Sequence, residues 1–193
     1  MQRTYRKKSK TRTGHEKSGP GLARLTVRAR PGHPSQGLLV AGNAVFPCAL
    51  GRGGISSIKR EGDGATPLAA MRLLSGYFRP DQAVPRRSPL PMMRITKRLG
   101  WCDAAGDRNY NRPVGLPYPA SHETMMRGDD LYDFCIVLDW NVSTRRRGRG
   151  SAIFFHLARP GFTPTEGCVA VTRQVMARLL PLISNRTVLE VRR

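Results

Sequence analysis

In the stretch SAIFFHLARPGFTPTEGCVAV, residues 151–171, a histidine and a cysteine stand twelve positions apart. His156 ends an apolar run, and Cys168 follows the turn-forming Pro164-Thr165-Glu166-Gly167. A thiol with a reference pKa of about 8.5 is a weak nucleophile at neutral pH until a base takes its proton. An imidazole can be that base, and the intervening LARPGFTPTEG is long enough to fold back and bring the two together. Gly167 lets the backbone approach a substrate closely and leaves its N–H unshielded, so the turn is also a candidate oxyanion site. The competing reading is structural, since free cysteines are among the most buried residues and a strand-end histidine needs only a hydrogen-bond partner. Position separates Cys168 from Cys135, which lies inside the apolar FCIVL. The reading carried forward makes Cys168 the nucleophile, His156 the general base and acid, and the Gly167 backbone an oxyanion donor.

Other polar residues are candidates for holding a substrate. Thr165 and Glu166 belong to the same turn. Asn111 and Arg112, in YNRPV, could bind a carboxylate, which guanidinium matches bidentately, or they anchor the loop. His122, in PASHE, lines a cleft or stands on an exposed loop. Asn141 follows Trp140 at the end of an apolar run and either borders the site or caps the strand. Arg149 and Arg159 flank the His156 strand; Arg159 is carried as a substrate contact against the alternative of a solvated surface cation. Asp63 and Thr66 read as turn formers. The four cysteines, Cys48, Cys102, Cys135 and Cys168, show no C-x-x-C spacing, so a zinc site of the usual kind is not expected.

The elements that must position these residues are mostly strands. LTVRARP alternates Leu25, Val27 and Ala29 with polar neighbours, the pattern of a half-buried strand. GLLVAGNAVFPCALG places Gly42-Asn43 between two apolar runs, a hairpin signal. GRGGISSIKREGDGATP, residues 51–67, reads as a glycine-rich loop, MRLLSGYF as a strand, and residues 80–91 as proline-rich irregular chain. Residues 101–123 read as an extended, loop-rich surface. LYDFCIVLDW, residues 131–140, is continuous enough for a central strand buried on both faces; SAIFFHLA and RTVLEVR supply two more. The helix is VTRQVMARLLPLI, with Val175, Met176, Leu179, Leu180 and Ile183 at helical spacing, Thr172 as cap and Pro181 as its end. The fold class is therefore mainly β, with one short helix after the cysteine.

The chain has 193 residues with a formal net charge of +20, and no run of 18 apolar residues that would span a bilayer. MQRTYRKKSKTRTGHEK makes residues 1–20 a disordered basic arm, leaving residues 21–193 as one domain; Arg86-Arg87 and STRRRGRG (143–150) are further basic clusters. Such charge makes polyanions natural partners of the arm and keeps a nucleic-acid-binding reading open. Against that reading, the sequence holds no recognition helix, zinc finger or aromatic stacking motif.

Two further segments change the weight of these readings. Lys59-Arg60-Glu61-Gly62-Asp63-Gly64-Ala65-Thr66-Pro67 precedes a strand, and Thr165-Glu166-Gly167-Cys168-Val169 follows a strand-borne His156. In that order they resemble the L,D-transpeptidases, cysteine enzymes that cross-link peptidoglycan, over roughly residue 24 to the C-terminus. YNRPV, PASHE, LYDF and GRGSAIFFH are similar to a Gram-negative branch that uses Thr-Glu-Gly-Cys. The resemblance implies a sandwich-like β domain, Cys168 and His156 as the catalytic pair, a chemistry that needs no metal or organic cofactor, stem tetrapeptides and an amine acceptor as partners, and a periplasmic or envelope location. No export signal is visible in the sequence, which keeps a cytoplasmic location as the alternative. A cysteine hydrolase of the same fold, an L,D-carboxypeptidase, fits the same residues. The chain departs from the family pattern at Glu166, which replaces a second histidine, at the short His-to-Cys loop, at Ala170 in place of an arginine, and at Leu68-Ala69-Ala70. A carboxylate beside the sulfur raises the thiol pKa unless it points away or pairs with a cation.

Overall fold

Leu25 and Val27 bury their side chains while Thr26 and Arg28 face outward, and that alternation makes β1 (Arg24–Arg30) a one-sided strand. The computed structural model describes residues 21–82 and 88–193. The expected basic arm, residues 1–20, and Arg86-Arg87 lie outside the described residues. The alternation stops before Ala29, which is exposed, and the register with the next strand shifts between Ala29 and Arg30. β2 (His33–Ala41) turns back through Gly42, at φ 59°, into β3 (Ala44–Ala49), the expected hairpin.

The glycine-rich segment after it is a loop that also contains a parallel pair, β4 (Ile55–Ser56) and β5 (Thr66–Pro67). β6 (Ala70–Phe78) and the short β7 (Met92–Arg94) follow. Residues 101–123, read as loop, instead carry most of a three-stranded antiparallel sheet. It comprises β8 (Leu99–Cys102), β9 (Arg112–Gly115) and β10 (His122–Thr124) in the order β10-β8-β9. Strands of three or four residues separated by polar turns are too short to show a period in sequence.

β11 (Phe134–Leu138), β12 (Phe154–Leu157), β13 (Val169–Val171), the helix α1 (Arg173–Leu179) and β14 (Val188–Arg192) complete the chain. Thr172 caps α1 by accepting the Val175 N–H at 3.3 Å, and Val175, Met176 and Leu179 are its buried face. One sheet runs β11-β12-β13-β3-β2-β1-β14-β6-β7, and a further β11–β6 pairing closes eight of these strands into a ring. The domain is mainly β, as read from sequence, with a single short α-helix among the described residues.

The ring has one core inside it and a second against its outer face. Ile136, Leu138, Phe155 and Leu157 point inward to Leu25, Leu39, Met71 and Val169. Their alternate neighbours Cys135, Val137 and Phe154 point outward, where Trp101 of β8, Tyr132 and Met125 cover them. Two buried faces explain why β11 and β12 are apolar without interruption. Trp101 and Tyr132 both meet Phe154 edge-on, at centroid distances of 5.2 and 5.8 Å. Such pairs add about 0.5–1.5 kcal/mol each beyond area burial. His156 shares the outward parity of Phe154, and Cys168 belongs to the same outer cluster. The outer core, not the ring interior, is therefore the layer that holds both residues.

Candidate active site

The turn before Cys168 is held from three sides. Its Thr165 N–H donates to the Leu50 carbonyl at 2.9 Å, and the Arg52 N–H donates to the Thr165 carbonyl at 2.8 Å. The Thr165 hydroxyl donates to the Cys168 carbonyl at 2.7 Å and accepts the Gly167 N–H at 3.2 Å. Gly167 sits at φ 131°, where a Cβ would stand 2.8 Å from the Ala65 carbonyl oxygen. A side chain there is excluded by backbone and strained by conformation at once. Asp63 and Thr66 build the facing loop as turn residues: Asp63 accepts from the Arg60 and Ala65 N–H groups at 2.6 and 2.9 Å and pairs with buried Lys59, while Thr66 accepts the Gly51 N–H at 2.8 Å.

The turn delivers a buried sulfur. Cys168 Sγ accepts the Phe154 N–H at 3.3 Å, and its S–H points to the Ala152 carbonyl, also at 3.3 Å. Burial pushes the thiol up to about 12, against the opposing pull of the Phe154 N–H. β12 and β13 run parallel with His156 opposite Ala170, so His156 and Cys168 lie on adjacent segments. The His156 Nδ1–H donates to the Leu157 carbonyl at 2.8 Å, since a carbonyl only accepts. That bond leaves Nε2 as the free basic nitrogen. Burial holds the imidazole down to about 4, with the Arg127 and Arg159 guanidiniums also opposing a second positive charge. At neutral pH the pair is therefore thiol and neutral imidazole.

His156 and Cys168 open onto one cleft of about 170 Å³. Thr165, Glu166 and Arg159 line it, as the sequence reading placed them at a site. Glu166 points to solvent and pairs with Arg52 Nε at 2.8 Å, so a cation does accompany this carboxylate. Arg159 is half-exposed and lies 3.4 Å from Asp129.

The other four expected contacts lie outside this lining. Asn111 is buried, with its oxygen accepting from Trp101 Nε1 and the Ala152 N–H and its nitrogen donating to the Trp140 carbonyl, each at 3.0 Å. Arg112 is exposed on β9. His122 bonds the Ala120 carbonyl at 2.8 Å. Asn141, at φ 53°, ties the 141–150 loop together through the Arg146 and Gly150 carbonyls, both at 3.0 Å. Trp140 likewise donates to the Arg149 carbonyl at 2.9 Å.

Sequence reasoning missed the far wall. Tyr132 meets His156 edge-on at 5.3 Å, and the Arg127 guanidinium lies over the Tyr132 ring at 5.0 Å. Arg127 is itself fixed by Asp129 at 2.7 and 2.9 Å. Glu123 faces the cleft, its carboxyl raised by desolvation, and Glu61 and Asp103 line it too. Neighbouring residues of β10 face opposite sides, so the glutamate of PASHE and not its histidine lines the cleft, but a strand of three residues gave no period in the sequence to find it by.

The family model for the YkuD, L,D-transpeptidase catalytic domain matches residues 35–191, and that span contains every residue of this cleft. No curated protein and no solved structure matches the chain. No helix among the described residues is long and apolar enough to cross a membrane.

Proposed function

Because the chain belongs to the YkuD family of L,D-transpeptidase catalytic domains, we propose that it is a cysteine acyltransferase acting on peptidoglycan stem peptides. The observation that carries this reading is the orientation of His156. With Nδ1 committed to Leu157, only Nε2 is left to serve the cleft that also holds the Cys168 sulfur.

In the first step the Cys168 sulfur attacks the carbonyl after the L-centre of diaminopimelate in a tetrapeptide stem, and its proton passes to His156. An S–C bond forms, the C–N bond to D-Ala breaks, and the D-Ala nitrogen leaves with the proton from His156. An amine then attacks the thioester, the S–C bond breaks, and the thiol recovers its proton. Transfer of the proton only as the carbonyl is attacked suits a pair that starts neutral. The developing oxyanion is met by backbone N–H groups of the Gly167 turn, the Gly167 N–H exchanging the Thr165 hydroxyl oxygen, its acceptor at 3.2 Å, for the oxyanion. Thr165, Glu166 and Arg159 contact the stem from the rim. The reading extends to a Gram-negative branch, on the strength of the Thr-Glu-Gly-Cys motif, and to work at the cell envelope, where a peptidoglycan substrate would be met.

The reading is tested by incubating the full chain with a disaccharide-tetrapeptide, alone and with an added diaminopimelate or D-amino acid acceptor. Transfer predicts D-Ala release together with an amide to the added amine. Release of D-Ala with only the hydrolysed tripeptide would replace transfer by L,D-carboxypeptidase activity. No D-Ala release under either condition would contradict both.

A further inference from the structure

Asn111 is almost fully buried, at 1% exposure, and sits at φ 58°, a left-handed conformation that asparagine tolerates better than most side chains. Its amide has only one orientation that satisfies its neighbours. The oxygen accepts from Trp101 Nε1 and from the Ala152 N–H, and the nitrogen donates to the Trp140 carbonyl, all at 3.0 Å. Ala152 is also left-handed, at φ 51°, without the excuse of being glycine or asparagine. Such a conformation persists when the surroundings impose it. The Ala152 peptide is gripped at both ends: its N–H by Asn111, and its carbonyl by the Cys168 S–H at 3.3 Å. Two residues on, the Phe154 N–H reaches the same sulfur at 3.3 Å. Trp101, which fixes the Asn111 oxygen, also packs edge-on against the Phe154 ring.

We propose that Asn111 is a positioning residue for the Cys168 sulfur, acting through the left-handed Ala152 peptide that, with the Phe154 N–H, brackets it. The inference rests on Cys168 being the nucleophile, and it assigns to Asn111 a place behind the reacting atoms rather than a contact with substrate. Without the amide, Ala152 relaxes to an ordinary backbone conformation, its carbonyl turns from the thiol, and the sulfur loses one wall of its bracket. The chemical step then suffers while substrate binding at the rim does not.

The test uses Asn111→Gly, which keeps the left-handed backbone accessible, Asn111→Asp, which keeps the oxygen that accepts both N–H groups, and the double variant Asn111→Gly/Ala152→Gly. Asn111→Gly is expected to lower the kcat for D-Ala release at least tenfold with KM for the tetrapeptide unchanged. Asn111→Asp stays closer to the parent. The double variant regains part of the loss, because glycine holds φ near 50° at little cost. In parallel, the amide proton of Phe154 is followed by NMR; it moves upfield in Asn111→Gly and holds in Asn111→Asp. If Asn111→Gly fails to fold, the Asn111→Asp and double-variant comparisons carry the test. An unchanged kcat in Asn111→Gly, a loss confined to KM, or an unmoved Phe154 amide proton would overturn the proposal. A parent enzyme that releases no D-Ala would instead defeat the reading of Cys168, and the amide-proton comparison would still decide the bracket.

Discussion

His156 carries a titratable group out of water. On folding, its imidazole drops from an ordinary value of 6.5 to about 4, chiefly through burial. Between those values the unfolded chain binds a proton that the folded chain refuses, so stability falls as the pH falls from about 6.5 toward 4. A difference of that size corresponds to about 3 kcal/mol. Partly exposed carboxylates such as Asp63 and Asp129, whose pKa values are lowered by their cationic and backbone partners, add their own losses in acid. The His156 share is therefore isolated by comparison: His156→Gln should lose less stability than the parent between pH 7 and pH 4.5, measured by denaturant unfolding. Parallel losses in the two proteins would contradict a neutral, buried imidazole. The same neutrality fits a base that takes the thiol proton only as the bond forms.

At the scale of the element, the turn Thr165–Cys168 leaves little room for change. Gly167→Ala places a methyl 2.8 Å from the Ala65 carbonyl oxygen at φ 131°. Moving backbone to accept it costs about 1–3 kcal/mol in stability and displaces the sulfur, so D-Ala release should fall by a hundredfold or more. Gly115→Ala, on β9 with open space around its Cβ position, is the control and should leave both unchanged. A Gly167→Ala protein with parent activity would show that the turn is looser than its contacts imply. This turn was legible in the sequence because a glycine before a cysteine between strands has few other uses. β11, β12 and α1 were legible for related reasons: continuous apolar runs with two buried faces, and a helical period with a threonine cap. The β8–β10 sheet was not, because its strands are short and partly exposed. Without that sheet the far wall was invisible, so Glu123, Arg127 and Tyr132 went unnamed. Asn111 shows the physical limit plainly: nothing local distinguishes an amide that faces a ligand from one that holds up a backbone.

Across the whole molecule, 33 lysines and arginines outweigh 13 acidic residues, yet the cleft is lined by Glu61, Asp103, Glu123 and Glu166 beside only two guanidiniums. Bulk charge therefore describes the outside of the protein and not its site. The closed ring of eight strands gives β12 and β13 a rigid base, and the outer layer gives His156 and Cys168 their burial. All of this converges on one claim, that Cys168 carries the acyl group. The most direct measurement is the intact-protein mass of the full chain after brief incubation with a disaccharide-tetrapeptide, beside Cys168→Ala. A gain equal to the donor minus D-Ala, located on the peptide containing Cys168 and absent from the variant, is the predicted result. D-Ala release by the parent with no adduct at any time, or an adduct that persists in Cys168→Ala, would contradict it.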